Sequence, residues 1–215
     1  MNTLLFQRFR FTKPIEIEDF DNGDEVVALQ DKIVIKMDKE SEKRDLAEIL
    51  SHAKLGESDP LLATFYFQED LTPKEERYAS MFFRLCQPLQ DAWTYKIMRK
   101  YAPDVYKSEV AKLFAMWQSV HSGILKDPSN EMRRQYLSMF TILSENPVND
   151  IKIIINTDEE NRADWEGYIT ALKQLIHKEP NANLYLKLPI ASNAPYKIKI
   201  ITEDNGFRYF KITTF

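Results

Sequence analysis

Three kinds of residue in this chain could do chemistry: its histidines, its crowded carboxylates and its runs of mixed basic and aromatic side chains. The histidines are His52, His121 and His177. They fall on separate predicted helices and lack the spacing that presents two imidazoles to one zinc ion. His121 lies on the apolar stripe of its helix, the setting of a hydrogen-bonded core histidine. No metal ligand is assigned among them.

The carboxylates crowd between Glu16 and Glu25 and again between Asp158 and Asp164. The first group alternates outward on a predicted hairpin. The second occupies the first turns of a predicted helix, where negative charge complements the helix dipole. Asp150-Ile151-Lys152, at the start of a predicted strand, has the form of the tail of an Asp/Glu-x-Lys metal site. Its earlier acid should come from a neighbouring strand, and the preceding segment reads as helix. A metal-dependent hydrolase or nuclease is therefore the third reading of function, and no catalytic residue is assigned.

Glycine narrows the chemistry further. Gly23, Gly56, Gly123, Gly167 and Gly206 stand far apart, so neither a Walker phosphate loop nor a dinucleotide-binding fingerprint can be written. There is no nucleophile-elbow serine motif. The single cysteine, Cys86, sits in MFFRLCQPL; it has no intramolecular disulfide partner and reads as a small buried hydrophobe. No cofactor is expected.

Three basic and aromatic surfaces remain. QRFRFTK would place Arg8 and Arg10 on one side of a strand. WTYKIMRKYAPDVYK gathers Lys96, Arg99, Lys100 and Lys107 among Trp93, Tyr95, Tyr101 and Tyr106. The terminal run KIKIITEDNGFRYFKITTF alternates branched, aromatic and basic residues around one Asp-Asn-Gly. The candidate binding residues are Lys197, Lys199, Tyr209 and Lys211 on this last sheet face, with Lys96, Arg99 and Lys100 on the helix.

The terminal run must be a hairpin for its lysines to share a face, and pleat parity selects its turn. A two-residue turn would mix both faces. A three-residue loop, Asp204-Asn205-Gly206, with Gly206 in the left-handed region, pairs Glu203 with Phe207. Ile198, Ile200, Phe210 and Ile212 then line one face, and Lys197, Lys199, Ile201, Tyr209 and Lys211 the other. The same argument applied to Asp21-Asn22-Gly23 predicts an N-terminal hairpin with Ile15, Ile17, Val27 and Leu29 inward and Glu16, Glu18, Val26 and Ala28 outward. DKIVIKM extends or adds to that antiparallel sheet, and LLFQRFRF is expected to join it.

From about residue 39 to 145 the pattern turns helical, with LLATFYF readable as a strand or a buried turn. Thr72-Pro73-Lys74-Glu75 joins a capping box to a proline at the first helical position. That helix aligns Tyr78, Met81, Phe82 and Leu85, and Pro88 is expected to kink or end it. A second helix opens near Pro103 and aligns Tyr106, Val110, Leu113, Phe114, Trp117, His121 and Ile124. A third starts at Asp127-Pro128. Asn146-Pro147-Val148-Asn149 marks the boundary between an N-terminal region, 1–146, and a C-terminal module, 147–215, which could also pack as one continuous domain. In the module, DIKIIIN reads as a strand, Thr157 caps a helix carrying Trp165, Tyr168, Ile169, Leu172, Leu175 and Ile176, and NLYLKL precedes the hairpin. The fold class is thus α+β: an N-terminal antiparallel hairpin sheet, a central helical bundle and a C-terminal β-α-β-β-β module.

Composition agrees with a folded chain. Its 215 residues are 44% hydrophobic and 29% charged, within the globular range. No window reaches the roughly 18 apolar residues of a membrane span, and arginines interrupt the start MNTLLFQRFRF where a signal peptide needs an apolar run. A soluble, cytoplasmic protein is expected. The net charge of -4 argues against indiscriminate binding to phosphate backbones. The function expected is a non-catalytic interaction or adaptor protein that binds a macromolecular partner, a protein, through charged sheet faces. The alternative is a nucleic-acid-binding protein using the basic and aromatic faces. No membrane partner is expected, and a homo-oligomer is left open.

Overall fold

The computed structural model describes residues 3–20, 25–37, 43–121, 162–189 and 196–214. The architecture is α+β. Helix α1 (Thr3–Phe9) leads into strands β1 (Ile15–Asp19), β2 (Glu25–Ala28) and β3 (Ile33–Met37). Helices α2 (Lys43–Ser58), α3 (Pro73–Tyr101), α4 (Pro103–His121) and α5 (Arg162–Leu175) follow, then strands β4 (Tyr196–Thr202) and β5 (Arg208–Thr214). No described helix is long and apolar enough to cross a membrane.

The N-terminal sheet corrects the expected hairpin. β1 and β2 do not pair; β3 lies between them, parallel to β1 and antiparallel to β2. DKIVIKM supplies the most continuously apolar strand, and Ile33, Val34, Ile35 and Met37 are all buried. A strand buried on both faces belongs in the middle of a sheet. This reverses the parity assigned to β2. Val26 and Ala28 lie opposite Ile35 and Ile33 on the face shared with Ile15 and Ile17, while Val27 joins Glu16 and Glu18 on the other. The loop at 21–24 lies outside the described residues.

LLFQRFRF is not a strand. It forms α1, which inserts Leu5 and Phe9 into a cluster with Ile33, Ile35, Leu46, Leu50 and Met98. Phe9 stacks on Phe11 and Tyr101. Arg8 and Arg10 are exposed, and Arg10 ends the helix at φ 46. The chain leaving α1 is held by Glu57 of α2. Its Oε1 accepts from the Thr12 hydroxyl at 2.8 Å, the Lys13 N–H at 2.9 Å and the Thr12 N–H, and its other oxygen pairs with Lys54.

α3 begins as its sequence dictates: the Thr72 and Glu75 side chains satisfy each other's backbone N–H groups, and Pro73 opens the helix. Tyr78 and Phe82 are buried, Met81 and Leu85 partly so. The helix does not end at Pro88 but runs on to Tyr101. Proline there removes the N–H that the Arg84 carbonyl would accept. Beside it, the Leu85 carbonyl accepts a hydrogen bond from the Tyr168 hydroxyl of α5 at 2.8 Å. Burial of Leu89 and Trp93 in one cluster with Tyr168, Ile169 and Leu172 of α5 keeps the interrupted helix continuous. On α4, Tyr106, Val110 and Leu113 are partly buried, but Phe114 is 48% exposed and is not a core residue.

In the C-terminal region, NLYLKL is a 3-10 turn (Ala182–Lys187) and not a strand. Asn181 caps it, and Leu184 and Tyr185 point into the core. α5 buries Tyr168, Ile169, Leu172 and Leu175 as its stripe requires. The terminal hairpin adopts the expected register. Ile198 faces Ile212 and Ile200 faces Phe210, the Glu203 N–H donates to Phe207 O, and Gly206 has φ 83. The expected helix at 127, the boundary at 146–149, the strand DIKIIIN, the cap at Thr157 and the side chain of Trp165 lie outside the described residues.

LLATFYF takes both forms considered. Pro60–Leu62 is a 3-10 turn capped by Asp59, and Phe67 then makes a parallel bridge to Phe210. The largest cluster joins Leu61, Leu62, Phe82, Leu89 and Trp93 to Tyr168, Leu172, Tyr185 and Phe210, so it draws on both sides of residue 146.

Burial alone would raise the Glu57 pKa, but the hydrogen bonds from Lys54, Lys13 and Thr12 outweigh it and hold the carboxyl at about 2. A folded value below the unfolded 4.5 stabilises the protein above that pH, and the contribution is lost as pH falls through 2. Glu57→Gln should therefore remove up to about 3 kcal/mol at neutral pH and flatten the loss of stability between pH 5 and about 2, as read by urea titrations across that range. Gly206→Ala should cost about 1–2 kcal/mol, because a Cβ there is strained at φ 83 and meets the Gln30 side chain. Adding Gln30→Ala should restore only the steric part, measurable as a partial recovery of Tm.

Candidate functional site

The outer face of the β4-β5 hairpin is built by the three-residue loop. With Gly206 in the left-handed region, every odd-numbered residue from 197 to 201 and from 207 to 213 falls on one side. Lys197, Lys199 and Lys211 are exposed there, while Ile201 and Tyr209 are half-buried. Lys199 lies directly opposite Lys211, and Lys197 opposite Thr213. Like charges placed across a ladder destabilise it. Among the described residues neither Lys199 nor Lys211 forms an ion pair.

The aromatic part of this face extends further than Tyr209. Phe207, 40% exposed, stacks on Tyr209 at 6.1 Å between centroids. Tyr66 also contacts Phe207, its ring tilted at 5.4 Å between centroids. The three rings form a strip across β5 and the extended segment beside it. Phe207 and Tyr66 are absent from the sequence-level candidates. Phe207 follows the glycine of the turn and could have been placed by parity; Tyr66 could not, since its neighbour in space is about 140 residues away in the chain.

The sheet at the other end of the chain handles charge differently. Lys36 pairs with Glu25 at 3.0 Å, directly across β2 and β3, and Lys32 with Glu16 at 2.7 Å. Its outer face pairs two of its glutamates with lysines, whereas the terminal hairpin sets lysine against lysine.

The second basic set does not join the first. Lys96, Arg99 and Lys100 are exposed on the last turns of α3, and Lys107 is exposed on α4. The hairpin packs at the opposite end of α3, where the Tyr78 hydroxyl donates to Tyr196 O at 3.0 Å and Phe82 meets Phe210 at 5.2 Å. At about 1.5 Å per residue, Phe82 and Arg99 are separated by about 26 Å along the helix. Within the helical set, Trp93 is fully buried and offers no stacking surface. Tyr95 and Tyr106 contact edge to face, and Lys100 lies over the ring of Tyr101 at 5.0 Å.

A cleft of about 930 Å³ opens between β2, α2, the 63–71 segment and the start of α3. Glu25, Glu48, His52, Glu76, Phe65 and Phe83 are among its lining residues. The Nδ1 of His52 sits 3.4 Å from the Thr94 hydroxyl, and burial pulls the imidazole pKa down to about 4, so the ring is neutral at physiological pH. His177 is exposed, and the His121 side chain lies outside the described residues. No sequence signal marks this cleft, because four segments distant along the chain supply its walls. Among the described residues, no three His, Cys, Asp or Glu side chains are grouped to hold a metal ion. Cys86 is buried, and that burial raises its thiol pKa well above the usual value.

Compared with protein-family models, curated proteins and solved structures, the chain matches none of them.

Proposed function

We propose that the chain is a non-catalytic interaction protein that docks an acidic protein partner on the outer face of β4 and β5. The observation that carries this reading is the register that sets Lys199 opposite Lys211, with Lys197 on the same face. Such an arrangement costs stability in the free protein, by about 0.2–1 kcal/mol for a cross-strand pair. A partner carrying carboxylates removes that cost on binding and adds charge-assisted hydrogen bonds. The contrast with the N-terminal sheet, where Lys32 and Lys36 each pair with a glutamate, supports the same reading. The strip of Tyr66, Phe207 and Tyr209 beside the lysines supplies the apolar anchors on which interfaces commonly depend.

A second reading, single-stranded nucleic acid, draws on the same stacked rings, since bases stack on exposed aromatic side chains beside a basic groove. The separation of the hairpin lysines from Lys96, Arg99 and Lys100 favours the first reading, because it leaves only a short basic track on each surface.

Lys199→Glu separates the two contributions. The substitution places opposite charges across the ladder, so Tm should rise while partner binding falls. Wild type and variant are compared by thermal denaturation and by capture followed by co-elution at defined stoichiometry. A variant that is less stable, or that retains every stoichiometric partner of the wild type, removes the basis of the proposal. Anisotropy with an oligothymidylate decides the second reading: salt-sensitive binding lost in both Lys199→Glu and Tyr209→Ala selects nucleic acid over protein.

A further inference from the structure

We propose that the chain associates head to tail with a second copy of itself, the outer edge of β1 in one molecule pairing with the outer edge of β4 in the next. This rests on the lysine face as a docking surface and names its acidic partner. Each sheet has one edge covered and one with no segment bonded to it among the described residues. In the N-terminal sheet the Val26 carbonyl of β2 accepts from the Thr64 hydroxyl, whereas β1 pairs only with β3 and is exposed from Glu16 to Asp19. In the hairpin, Tyr66 and Gln68 bond to Phe210 of β5, whereas β4 pairs only with β5.

Main-chain parity decides what these two edges present. The Ile33 N–H donates to Pro14 O and the Phe20 N–H to Met37 O, so even-numbered residues of β1 bond to β3, and Ile15 and Ile17 aim their N–H and carbonyl groups outward. In the hairpin the bond from Glu203 N–H to Phe207 O makes odd-numbered residues of β4 bond to β5, and Ile198 and Ile200 aim outward. Among the described residues no hydrogen bond reaches the main-chain groups of these four isoleucines on that side. Only at the start of β4 is an outward carbonyl taken, that of Tyr196, by the Tyr78 hydroxyl. Residues opposite each other in an antiparallel ladder aim their main-chain groups alike, both across or both away. In every antiparallel register, therefore, Ile15 and Ile17 fall beside even-numbered residues of β4, Ile198 and Ile200 among them, and Glu16 and Glu18 beside odd-numbered ones, Lys197 and Lys199 among them. Isoleucine never meets lysine. The added strand also covers apolar surface, since Ile17 is 38% exposed and Ile198 and Ile200 are only half-buried against the main cluster.

Charge selects this pairing over the symmetric ones. On the outer face of the N-terminal sheet Lys32 and Lys36 bond to Glu16 and Glu25, which leaves Glu18 without an ion pair among the described residues. Lys199 faces Lys211 and has none either. Bringing Glu18 to Lys199 relieves that repulsion. Two β1 edges would set glutamate against glutamate, and two β4 edges lysine against lysine, the arrangement by which edge strands avoid pairing with their own kind. A contact from β1 to β4 is heterologous, so it extends into chains or closes into a ring.

The test is sedimentation velocity of the full chain from micromolar to near-millimolar concentration. Weight-average mass should rise with concentration above the 25.3 kDa of one chain, and rise less at high salt. Glu18→Lys and Lys199→Glu should each weaken association about tenfold, because each sets like charges side by side. An equimolar mixture of the two variants should regain it, since Glu18 of one then meets Lys199 of the other; that recovery also shows both to be folded. Ile17→Pro removes an N–H that β3 does not use and should abolish association with the far-ultraviolet circular dichroism unchanged. Three results overturn the inference: a chain that stays monomeric at every concentration, a mixture no more associated than its components, or a folded Ile17→Pro variant that associates like the wild type. The acidic-partner reading itself fails on a different result, retention by Lys199→Glu of every captured stoichiometric partner.

Discussion

The pairing of one short extended segment with the last strand is the constraint on which the rest depends. The Phe210 N–H donates to Tyr66 O at 2.7 Å, the Gln68 N–H donates to Phe210 O at 3.1 Å, and the Gln68 side chain accepts from the Ile212 N–H at 2.9 Å. An isolated two-stranded hairpin is marginal in water, and a third extended partner with a hydrophobic face makes it stable. The same pairing fixes parity on the added segment. Phe65 and Phe67 turn inward onto Phe210 and Phe82, while Tyr66 turns outward to Phe207. Asp59 anchors the arrangement from the other side: Oδ1 caps the 3-10 turn and Oδ2 pairs with Arg208 at 2.5 Å. Core and outer surface of the hairpin are thus set by a contact spanning most of the chain.

Close packing between small residues performs a related task at the other sheet. A Cβ added to Gly56 of α2 would come within 2.7 Å of both the Ala28 and the Ala63 Cβ atoms. Only glycine lets the helix approach β2 and the turn at 63 at once. The wall of the cleft therefore depends on a residue that never touches it. The cleft and the hairpin both rest on the first half of α3, Glu76 and Phe83 lining the one and Tyr78 and Phe82 supporting the other, while Lys96, Arg99 and Lys100 lie toward the far end of that helix.

Local chemistry made parts of this legible. The capping box and proline at Thr72 to Glu75 start α3 because they satisfy backbone donors within one turn. Gly206 sets the terminal register because a single backbone conformation decides the parity of fourteen strand residues. The identical Asp-Asn-Gly near the start was misleading for the same reason inverted: parity constrains two strands only if they pair, and β3 came between them. Pro88 failed to end its helix because burial on either side outweighs one lost hydrogen bond. The strand expected for LLFQRFRF became a helix because its two bulkiest inward residues, Leu5 and Phe9, are four apart and fill one pocket of the core.

The sequence by itself determined the α+β class, the start of α3, the buried state of Cys86 and the two faces of the final hairpin, all properties fixed by residues close together in the chain. Only the tertiary structure decided the central place of β3, the bridge from Phe67 to Phe210, the separation of the two basic sets and the existence of the cleft. Each of these depends on which distant segments meet, and that choice is made by the summed burial of many side chains, which no local spacing encodes.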